Sequence, residues 1–211
     1  VLEPKFLYKT KERRYWTLRT CVHTDDQQTS IDTVRSLLED IVARQLVADV
    51  PRCVLLSGGL DSSVITALAA AQLATRGEQV RSFAVDFVGQ AEAFTPDYMR
   101  DTADTPYAHD VATHVGSWHQ DIVLDHTTLA DPAVRRAVVT ARDITPSMGD
   151  MDNSLYLLFQ AIRGHSTVAL SGEAADEIFG GYRWFHHPPV QAADTFPWLA
   201  SELVGPHTQP S

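Results

Sequence analysis

Residues 53–63 read CVLLSGGLDSS, a short apolar run that leads through a serine and two glycines into a helix-forming segment. The run Cys53-Val54-Leu55-Leu56 has the length and apolar character of a buried parallel strand. Apolar residues recur at helical spacing over 62–75, and the side chains predicted to point inward are Val64, Ile65, Leu68, Ala69 and Leu73. The stretch therefore predicts a strand, a glycine turn and a helix in direct succession.

Outward from this stretch, strands and helices alternate along the chain. Further strands are predicted at 80–87, 118–124 and 167–170, helices at 30–50, 109–115, 129–142 and 153–163, and loops at 89–106 and 144–152. The helix at 30–50 has Ser30 or Asp32 as its expected cap and an apolar face made of Ile31, Val34, Leu37, Leu38, Ile41, Val42 and Leu46. This alternation predicts an α/β fold: a parallel sheet with helices on both faces, which binds ligands beyond the carboxyl ends of its strands.

The glycine turn after the first strand has the chemistry of a phosphate cradle. Glycine lets the backbone approach an anion closely, and the amides at the start of the next helix point towards it. Ser57, Ser62 and Ser63 add hydroxyl donors, and Asp61 fits such a site if it holds a metal ion against the phosphates. The alternative is a plain strand-to-helix turn with Asp61 as the helix cap. The P-loop of the common nucleotide triphosphatases is excluded, because no lysine follows the glycines.

A second, acidic loop follows the last predicted strand, where residues 171–182 read SGEAADEIFGGY. It begins with the same Ser-Gly pair, so both loops are predicted to lie at one edge of the sheet. Glu173, Asp176 and Glu177 would lie on adjacent faces of a helix that begins here. Two interpretations remain open: a charge cluster that the helix dipole favours, or an acid that joins Asp61 on a divalent metal.

The composition is that of a globular chain with an acidic surface. The net charge of −10 argues against nucleic acid as a partner, although it leaves room for a small anion. The two cysteines, Cys21 and Cys53, show no paired or metal-ligand spacing, and Cys53 is expected in the core, which predicts a reducing cytoplasmic location. No apolar stretch approaches the ~20 residues of a membrane-spanning helix, so no membrane partner is predicted.

Both loops resemble signatures of known families. Residues 57–63 resemble the Ser-Gly-Gly-x-Asp-Ser pattern of the PP-loop ATP pyrophosphatases, which split ATP between its α and β phosphates. Residues 171–182 resemble the second signature of the asparagine synthetase family, with Ala174 in place of glycine and Ile178 in place of leucine. Further segments that resemble this family, in the same order, are 15–18, 49–51 and 153–158, so the resemblance extends over about 15–185.

The resemblance implies a set of ATP-binding residues: Leu55, Ser57, Gly58, Gly59, Leu60, Asp61, Ser62, Ser63, Val85, Ser171 and Gly172. Within this set, the backbone of Leu55 and Val85 would contact the adenine, and the Ser171-Gly172 pair would face the ribose and the α-phosphate. The resemblance also implies that Asp61 and Asp176 bind Mg²⁺. Glu173 would join these two acids in catalysis by positioning the acceptor carboxylate or the adenylated intermediate.

Histidines recur around the predicted helix 109–115 and the strand after it, at His109, His114 and His119. They are either surface and core histidines or a metal cluster. His119 falls where the asparagine synthetase family often has a histidine near the site, which makes it a candidate for contact with the substrate. Asp143, at a predicted helix end, either orients the substrate or closes the helix.

The resemblance implies an AMP-forming carbon–nitrogen ligase that uses ATP and Mg²⁺. A substrate carboxylate, expected to be aspartate, is adenylated with release of pyrophosphate, and ammonia or another amine then gives the amide. The alternatives are a related β-lactam synthetase or lasso-peptide cyclase, a tRNA-modifying PP-loop enzyme, and an inactive ATP-binding homologue. The acidic charge and the second signature count against the tRNA-modifying enzyme. Assembly as a homodimer is compatible with the sequence.

The predicted organisation has three parts: a segment at 1–30 that leads into the domain, a synthetase domain at 31–185, and the start of an incomplete or disordered part at 186–211. Family members usually also carry an N-terminal glutaminase domain with a catalytic cysteine, and a lysine late in the synthetase domain. In this chain the last lysine is Lys11. Because such a glutaminase domain is not found in these residues, the ammonia donor is expected outside the chain. Because no lysine follows Lys11, the protein is expected to be longer than these residues.

Overall fold

The computed structural model describes residues 12–96, 102–145, 151–197 and 199–200. Contacts divide the chain into a unit at Val1–Arg35 and a larger unit at Ser36–Ser211. Residues 12–26, in the first unit, form neither helix nor strand, and the aromatic side chains of Tyr15 and Trp16 are exposed. The three-part division predicted from the sequence stays a prediction.

Four parallel strands form the sheet: β1 (Arg52–Leu55), β2 (Arg81–Phe87), β3 (Trp118–Leu124) and β4 (Val168–Leu170). Their order is β3-β2-β1-β4, and Val54 of β1 pairs with Ser82 on one side and with Leu170 on the other. Each strand lies within about one residue of its predicted bounds. The predicted α/β fold with a parallel sheet is therefore confirmed.

The helices are α1 (Gln27–Gln45), α2 (Leu60–Ala74), α3 (Gln90–Ala93), α4 (Thr105–Val115), α5 (His126–Ala130), α6 (Pro132–Arg142), α7 (Met151–Ile162), α8 (Ala175–Phe179) and α9 (Pro188–Gln191), with a 3-10 turn at Arg183–His186. The predicted loop 89–106 was wrong in part, because it contains α3 and the start of α4. The predicted helix 129–142 is also wrong as one element, because it is divided between α5 and α6.

A cap and a proline cause that division. The carboxylate of Asp131 accepts a hydrogen bond from the amide of Ala133 at 2.8 Å, and Pro132 occupies the first turn of α6. An aspartate cap followed by proline is a helix-start signal, because proline needs no hydrogen-bond acceptor there. Asp125 caps α5 in the same way by accepting from the amide of Thr127 at 2.6 Å.

Helices cover both faces of the sheet. On one face, Ala69 and Leu73 of α2 belong to the same buried cluster as Val54, and α4 packs beside them. On the opposite face, Leu158 and Ile162 of α7 pack against Cys53 and Phe83. Cys53 is 2% exposed, which confirms its predicted place in the core.

Two predicted apolar faces were wrong in part. In α1, Ile31, Val34, Leu37 and Ile41 are between 39% and 56% exposed, and burial is complete only near the end of the helix and after it, at Val42 and Leu46. Asp26, rather than Ser30 or Asp32, caps this helix, since its carboxylate accepts from the amide of Thr29 at 2.7 Å.

In α2 the buried face includes polar side chains. Val64, predicted to point inward, is 42% exposed, whereas Thr66 is fully buried. The hydroxyl of Thr66 donates to the carbonyl oxygen of Ser62 at 2.7 Å, so its burial leaves no hydrogen unpaired. Small side chains on this face let the helix lie close to the sheet, a requirement that apolar spacing alone does not reveal.

The strand order places β1 at the topological switch point of the sheet. The chain leads from β1 to β2 on one side, while β4 lies on the other side of β1. Ligand crevices in parallel sheets form beyond the carboxyl ends of the strands at such a point. The Ser57-Gly58 loop follows β1 and the Ser171-Gly172 loop follows β4, so their predicted common edge is confirmed.

In the described ranges, every helix is too short or too polar to cross a bilayer.

Candidate functional site

A cavity of about 320 Å³ opens at this carboxyl edge. The predicted ATP-binding residues that line it are Leu55, Ser57, Gly59, Asp61, Ser62, Val85, Ser171 and Gly172. The predicted catalytic acids Glu173 and Asp176 line it as well. Gly58, Leu60 and Ser63 are not among the described lining residues, so their contact with ATP stays a prediction.

Hydroxyl groups hold the first loop in shape. The Oγ atom of Ser62 accepts a hydrogen bond from the amide of Ser57 at 3.2 Å, donates to the carbonyl oxygen of Gly59 at 3.2 Å, and lies 3.0 Å from the Oγ atom of Ser57. Ser63 donates to the same carbonyl oxygen at 2.6 Å. The serine hydroxyls therefore brace the loop, and a phosphate that binds through them must exchange these hydrogen bonds.

The first turn of α2 begins without a side-chain cap. Gly59 is its N-cap residue, and no side chain of the described residues caps it. The alternative interpretation of Asp61 as a helix cap is therefore wrong, because Asp61 lies in the first turn and lines the cavity instead. Amides at an uncapped helix start are donors of the kind that bind phosphate groups.

Gly58 lets this loop pack against α4. Its φ of +86° is in the left-handed region, and a Cβ atom there would lie 2.7 Å from the amide nitrogen of Ala108 and from Cβ of Tyr107. Glycine is required for both reasons: the backbone conformation and the lack of space. The role of Gly58 in the structure is thus to join the first loop to the first turns of α4.

The second loop contacts the first through another glycine. A Cβ atom on Gly172 would lie 3.0 Å from Cβ of Asp61 and 3.0 Å from the amide nitrogen of Ser62. Ser171 supports this turn, since its hydroxyl accepts a hydrogen bond from the amide of Glu173 at 3.2 Å. The two loops that the sequence singled out therefore meet over the cavity, with Asp61 at their contact.

Carboxylates from both loops repel one another across the cavity. The pKa of Asp176 is raised, first by burial and then by the negative charges of Asp61 and Glu177. Asp176 also lies directly over Gly181, where any side chain would collide with its carboxylate. A pair of acids held together against their repulsion is a typical arrangement for a cation site.

Glu177, next to Asp176, accepts a hydrogen bond from a tyrosine hydroxyl. The hydroxyl of Tyr182 donates to Glu177 Oε1 at 2.9 Å, and this hydrogen bond is the main cause that raises the pKa of Tyr182 to about 12. Tyr182 therefore stays protonated at any physiological pH and holds the Glu177 carboxylate in place.

Ala174 adopts a backbone conformation that glycine normally supplies. It precedes α8 with a φ of +72°, in the left-handed region, and it replaces the glycine of the family signature. A Cβ atom costs roughly 1–2 kcal/mol in that region. The turn therefore carries strain next to Glu173 and Asp176.

We expect Ala174→Gly to raise the free energy of unfolding by about 1 kcal/mol, because the relief of left-handed strain exceeds the entropic cost of glycine. Urea denaturation followed by circular dichroism measures the change. Ala175→Gly is the control: Ala175 begins α8, and glycine there should destabilise the chain instead. Equal effects of the two substitutions would contradict the prediction.

Several lining residues were not predicted from the sequence. They are Leu56, Phe83, Ala84, Asp104, Thr105, Ala108, Leu155, Leu158, Ala174, Glu177 and Tyr182. Most of them lie in the cavity wall only because the fold brings distant parts of the chain together. Glu177 and Tyr182 belong to the second signature, so their presence in that motif was a signal that could have identified them.

The two predicted substrate residues lie elsewhere in the described structure. Asp143 closes α6 with a φ of 55°, and its amide donates to the carbonyl oxygen of Val139, which matches the helix-closing alternative. His119 lies beside Asp121 and His109, and burial is the main cause that lowers its pKa. Neither is among the described lining residues of the cavity. Their contact with a substrate stays a prediction.

A parallel sheet with a glycine-rich loop and an acidic loop at its switch point defines an α/β protein with a candidate ligand site at the carboxyl edge of its sheet. The chain belongs to the asparagine synthase family, whose model matches residues 33–210. The resemblance drawn from the two signatures is therefore confirmed.

Three curated relatives show the extent of the likeness. Asparagine synthetase 3 (glutamine-hydrolyzing) of Bacillus subtilis (strain 168) is 39% identical over 189 residues, which are 89% of this chain and 30% of the relative. Asparagine synthetase B of Escherichia coli (strain K12) is 35% identical over 179 residues, 78% of this chain and 29% of the relative. The asparagine synthetase (glutamine-hydrolyzing) of Brassica oleracea is 34% identical over 167 residues, which are 74% of this chain and 26% of the relative.

The chain thus spans less than a third of the length of each of these relatives. Among solved structures, the NAD⁺ synthetase of Burkholderia pseudomallei is similar, with a TM-score of 0.35 and 16% identity over 89% of this chain and 79% of that one.

Proposed function

We propose that this chain is the ATP-binding synthetase part of an enzyme that makes an amide by adenylating a carboxylate. Aspartate is the proposed carboxylate and asparagine the product, as the names of the relatives suggest. The observation that carries the proposal is the contact of Gly172 with Asp61 and Ser62, which joins the two family signatures around one cavity.

The cavity walls suit a nucleotide whose base and phosphates need different surroundings. Leu55, Phe83 and Val85 give one part of the wall an apolar character suited to adenine. Ser57 and Gly59 line the part next to the start of α2, where backbone amides suit the phosphates. In this proposal Ser171 and Gly172 face the ribose and the α-phosphate.

The acids of the two loops fit a magnesium ion. Mg²⁺ prefers oxygen ligands and is commonly held by one or two carboxylates together with substrate phosphates. Asp61 and Asp176 line the same cavity, and the charge of Asp61 raises the pKa of Asp176. We propose that these two acids hold the ion, which would neutralise charge on the phosphates.

The proposed reaction has two steps. A carboxylate oxygen of the substrate attacks the α-phosphorus of ATP, and the bond to the bridging oxygen breaks, so that pyrophosphate leaves. Ammonia then attacks the carbonyl carbon of the mixed anhydride, which gives the amide and AMP. The protein contributes position and charge stabilisation, and Glu173 is proposed to orient the acceptor. Ammonia is proposed to come from a glutaminase part outside these residues.

ATP–pyrophosphate exchange tests the proposal in two stages. The first stage is ATP binding to the chain, measured by calorimetry. The second is exchange with aspartate, with glutamate and without an amino acid, using Asp61→Ala prepared in parallel as the background. Exchange that requires aspartate and is absent in the variant supports the proposal. A folded chain that does not bind ATP contradicts the nucleotide site, and binding without aspartate-dependent exchange contradicts aspartate as the substrate of this chain.

A further inference from the structure

Two histidines and an aspartate form a cluster on the face of the sheet that α4 covers. His109 comes from α4, while His119 and Asp121 come from β3. Their ligand atoms all lie within 4.8 Å of one another. His109 Nε2 is 2.7 Å from Asp121 Oδ2, and His119 Nε2 is 3.2 Å from Asp121 Oδ1. The three residues are not among those that line the described cavity.

A chain of hydrogen-bonded side chains leads from His119 Nδ1 to the backbone carbonyl of Val80. The hydroxyl of Ser117 donates to the carbonyl oxygen of Val80 at 3.2 Å. Ser82 Oγ lies 2.6 Å from Ser117 Oγ, and His119 Nδ1 lies 2.8 Å from Ser82 Oγ. Each hydroxyl has one hydrogen, so these three bonds form together when His119 Nδ1 donates to Ser82, Ser82 donates to Ser117, and Ser117 donates to the backbone. The other tautomer gives up the bond to the backbone and donates from Nε2 to Asp121 instead.

The first of these tautomers leaves the other ring nitrogen with a lone pair. A neutral His119 with its hydrogen on Nδ1 directs the lone pair of Nε2 towards Asp121 Oδ1, which is also an acceptor. In this tautomer the two acceptors, 3.2 Å apart, can share a metal cation. A metal ion satisfies the neutral ring, the carboxylate and the second imidazole together.

We propose that His109, His119 and Asp121 form a binding site for a divalent transition metal of the zinc class. Two imidazole nitrogens and a carboxylate oxygen are ligands that Zn²⁺ takes, and three protein ligands leave a fourth position for water. The hydrogen bond from His119 Nδ1 to Ser82 is the outer contact that orients a ligating histidine. The nitrogen ligands distinguish this site from the all-oxygen pair of Asp61 and Asp176, which suits Mg²⁺.

A metal at this position would join α4 to β3. Thr105 and Ala108, in the first turns of α4, line the cavity, and Gly58 of the first loop packs against the same turns. A ligand at His109 would therefore anchor the helix that forms one wall of the cavity. The expected result of metal binding is a higher melting temperature, and the size of that shift depends on the metal concentration.

Zinc titration of the tag-free chain against a chromophoric chelator tests the site. We expect one Zn²⁺ per chain, and His109→Ala should weaken binding by on the order of tenfold or more. The matched control is His114→Ala, since His114 is another exposed histidine of α4 and lies outside the cluster. Ser82→Ala should weaken binding by about 10–100-fold, because it removes the outer hydrogen bond.

The substitutions on α4 and β3 separate the site from folding. The side chain of His109 is 50% exposed, so its loss should leave the circular dichroism spectrum unchanged. Asp121→Asn gives a second variant that keeps the size of the side chain. The proposal is overturned if the wild-type chain takes up no zinc, or if His109→Ala binds as tightly as His114→Ala. ATP binding is measured on the same samples, so a failed zinc site and a failed nucleotide site give different results.

Discussion

Gly58→Ala is expected to lower the free energy of unfolding by about 3 kcal/mol, which combines left-handed strain with overpacking against α4. The φ of +86° would strain any side chain at this position. In addition, the new Cβ atom would meet the amide nitrogen of Ala108 at 2.7 Å and the carbonyl oxygen of Asp104 at 2.9 Å. These contacts involve the backbone of a helix, which cannot move aside as the end of a flexible side chain can.

Gly77→Ala is the matched control for this prediction. Gly77 has a φ of +71°, but a Cβ atom there would have no neighbour within 4 Å among the described residues. It therefore has the left-handed strain without the collision, and its expected cost is about 1 kcal/mol. Urea denaturation of both variants measures the difference. Equal losses would show that the contact between the first loop and α4 is unimportant for stability.

The sheet could be predicted because its signals are local. The strands β1 and β4 are short, largely apolar runs, and Ser57-Gly58 and Ser171-Gly172 mark where they end. An apolar run and a following glycine are visible in the local sequence, so the predicted bounds of the strands were nearly right. The division between α5 and α6 also had a local signal at Asp131-Pro132, which the apolar spacing obscured.

The burial of helix faces could not be predicted in this way. The spacing of apolar residues in α1 continues from Ile31 to Val42, yet burial is complete only at Val42. Spacing shows which side chains share a face, whereas burial depends on which element covers that face. The same reason explains why Thr66 is buried in α2 and Val64 is not.

The site shows a similar limit. The two loops were found because each is a contiguous motif, but the wall residue Phe83 comes from β2, and Leu155 and Leu158 come from α7. The cluster around His119 is harder still to predict from the sequence. Asp121 lies beside His119 because alternate residues of β3 share one face of the sheet, and His109 reaches them only because α4 packs on that face. Such neighbours carry no joint pattern in the sequence and become visible only in the folded chain.

Asp176→Asn is expected to reduce ATP–pyrophosphate exchange by about 10²–10³-fold, the range for losing one charge-stabilising group from an active site. The same substitution should leave the melting temperature at neutral pH unchanged or raise it. Burial and the charge of Asp61 raise the pKa of Asp176, so the folded state favours the protonated form. Its favourable contribution is present below the unfolded pKa and is lost as the pH rises through the folded pKa.

At neutral pH the Asp176 carboxylate therefore faces Asp61 and Glu177 without benefit to folding, and asparagine removes that repulsion. Glu177→Gln is the matched control on α8. Glu177 lines the same cavity but accepts a hydrogen bond from the hydroxyl of Tyr182, and the amide oxygen of glutamine can accept the same hydrogen bond. We expect a much smaller loss of exchange in this variant. Exchange rates measured over a range of Mg²⁺ concentrations, with thermal melts of the same samples, test the pair. If the two variants lose exchange equally, Asp176 has no special part in holding the ion, and if Asp176→Asn unfolds the chain, the carboxylate is structural.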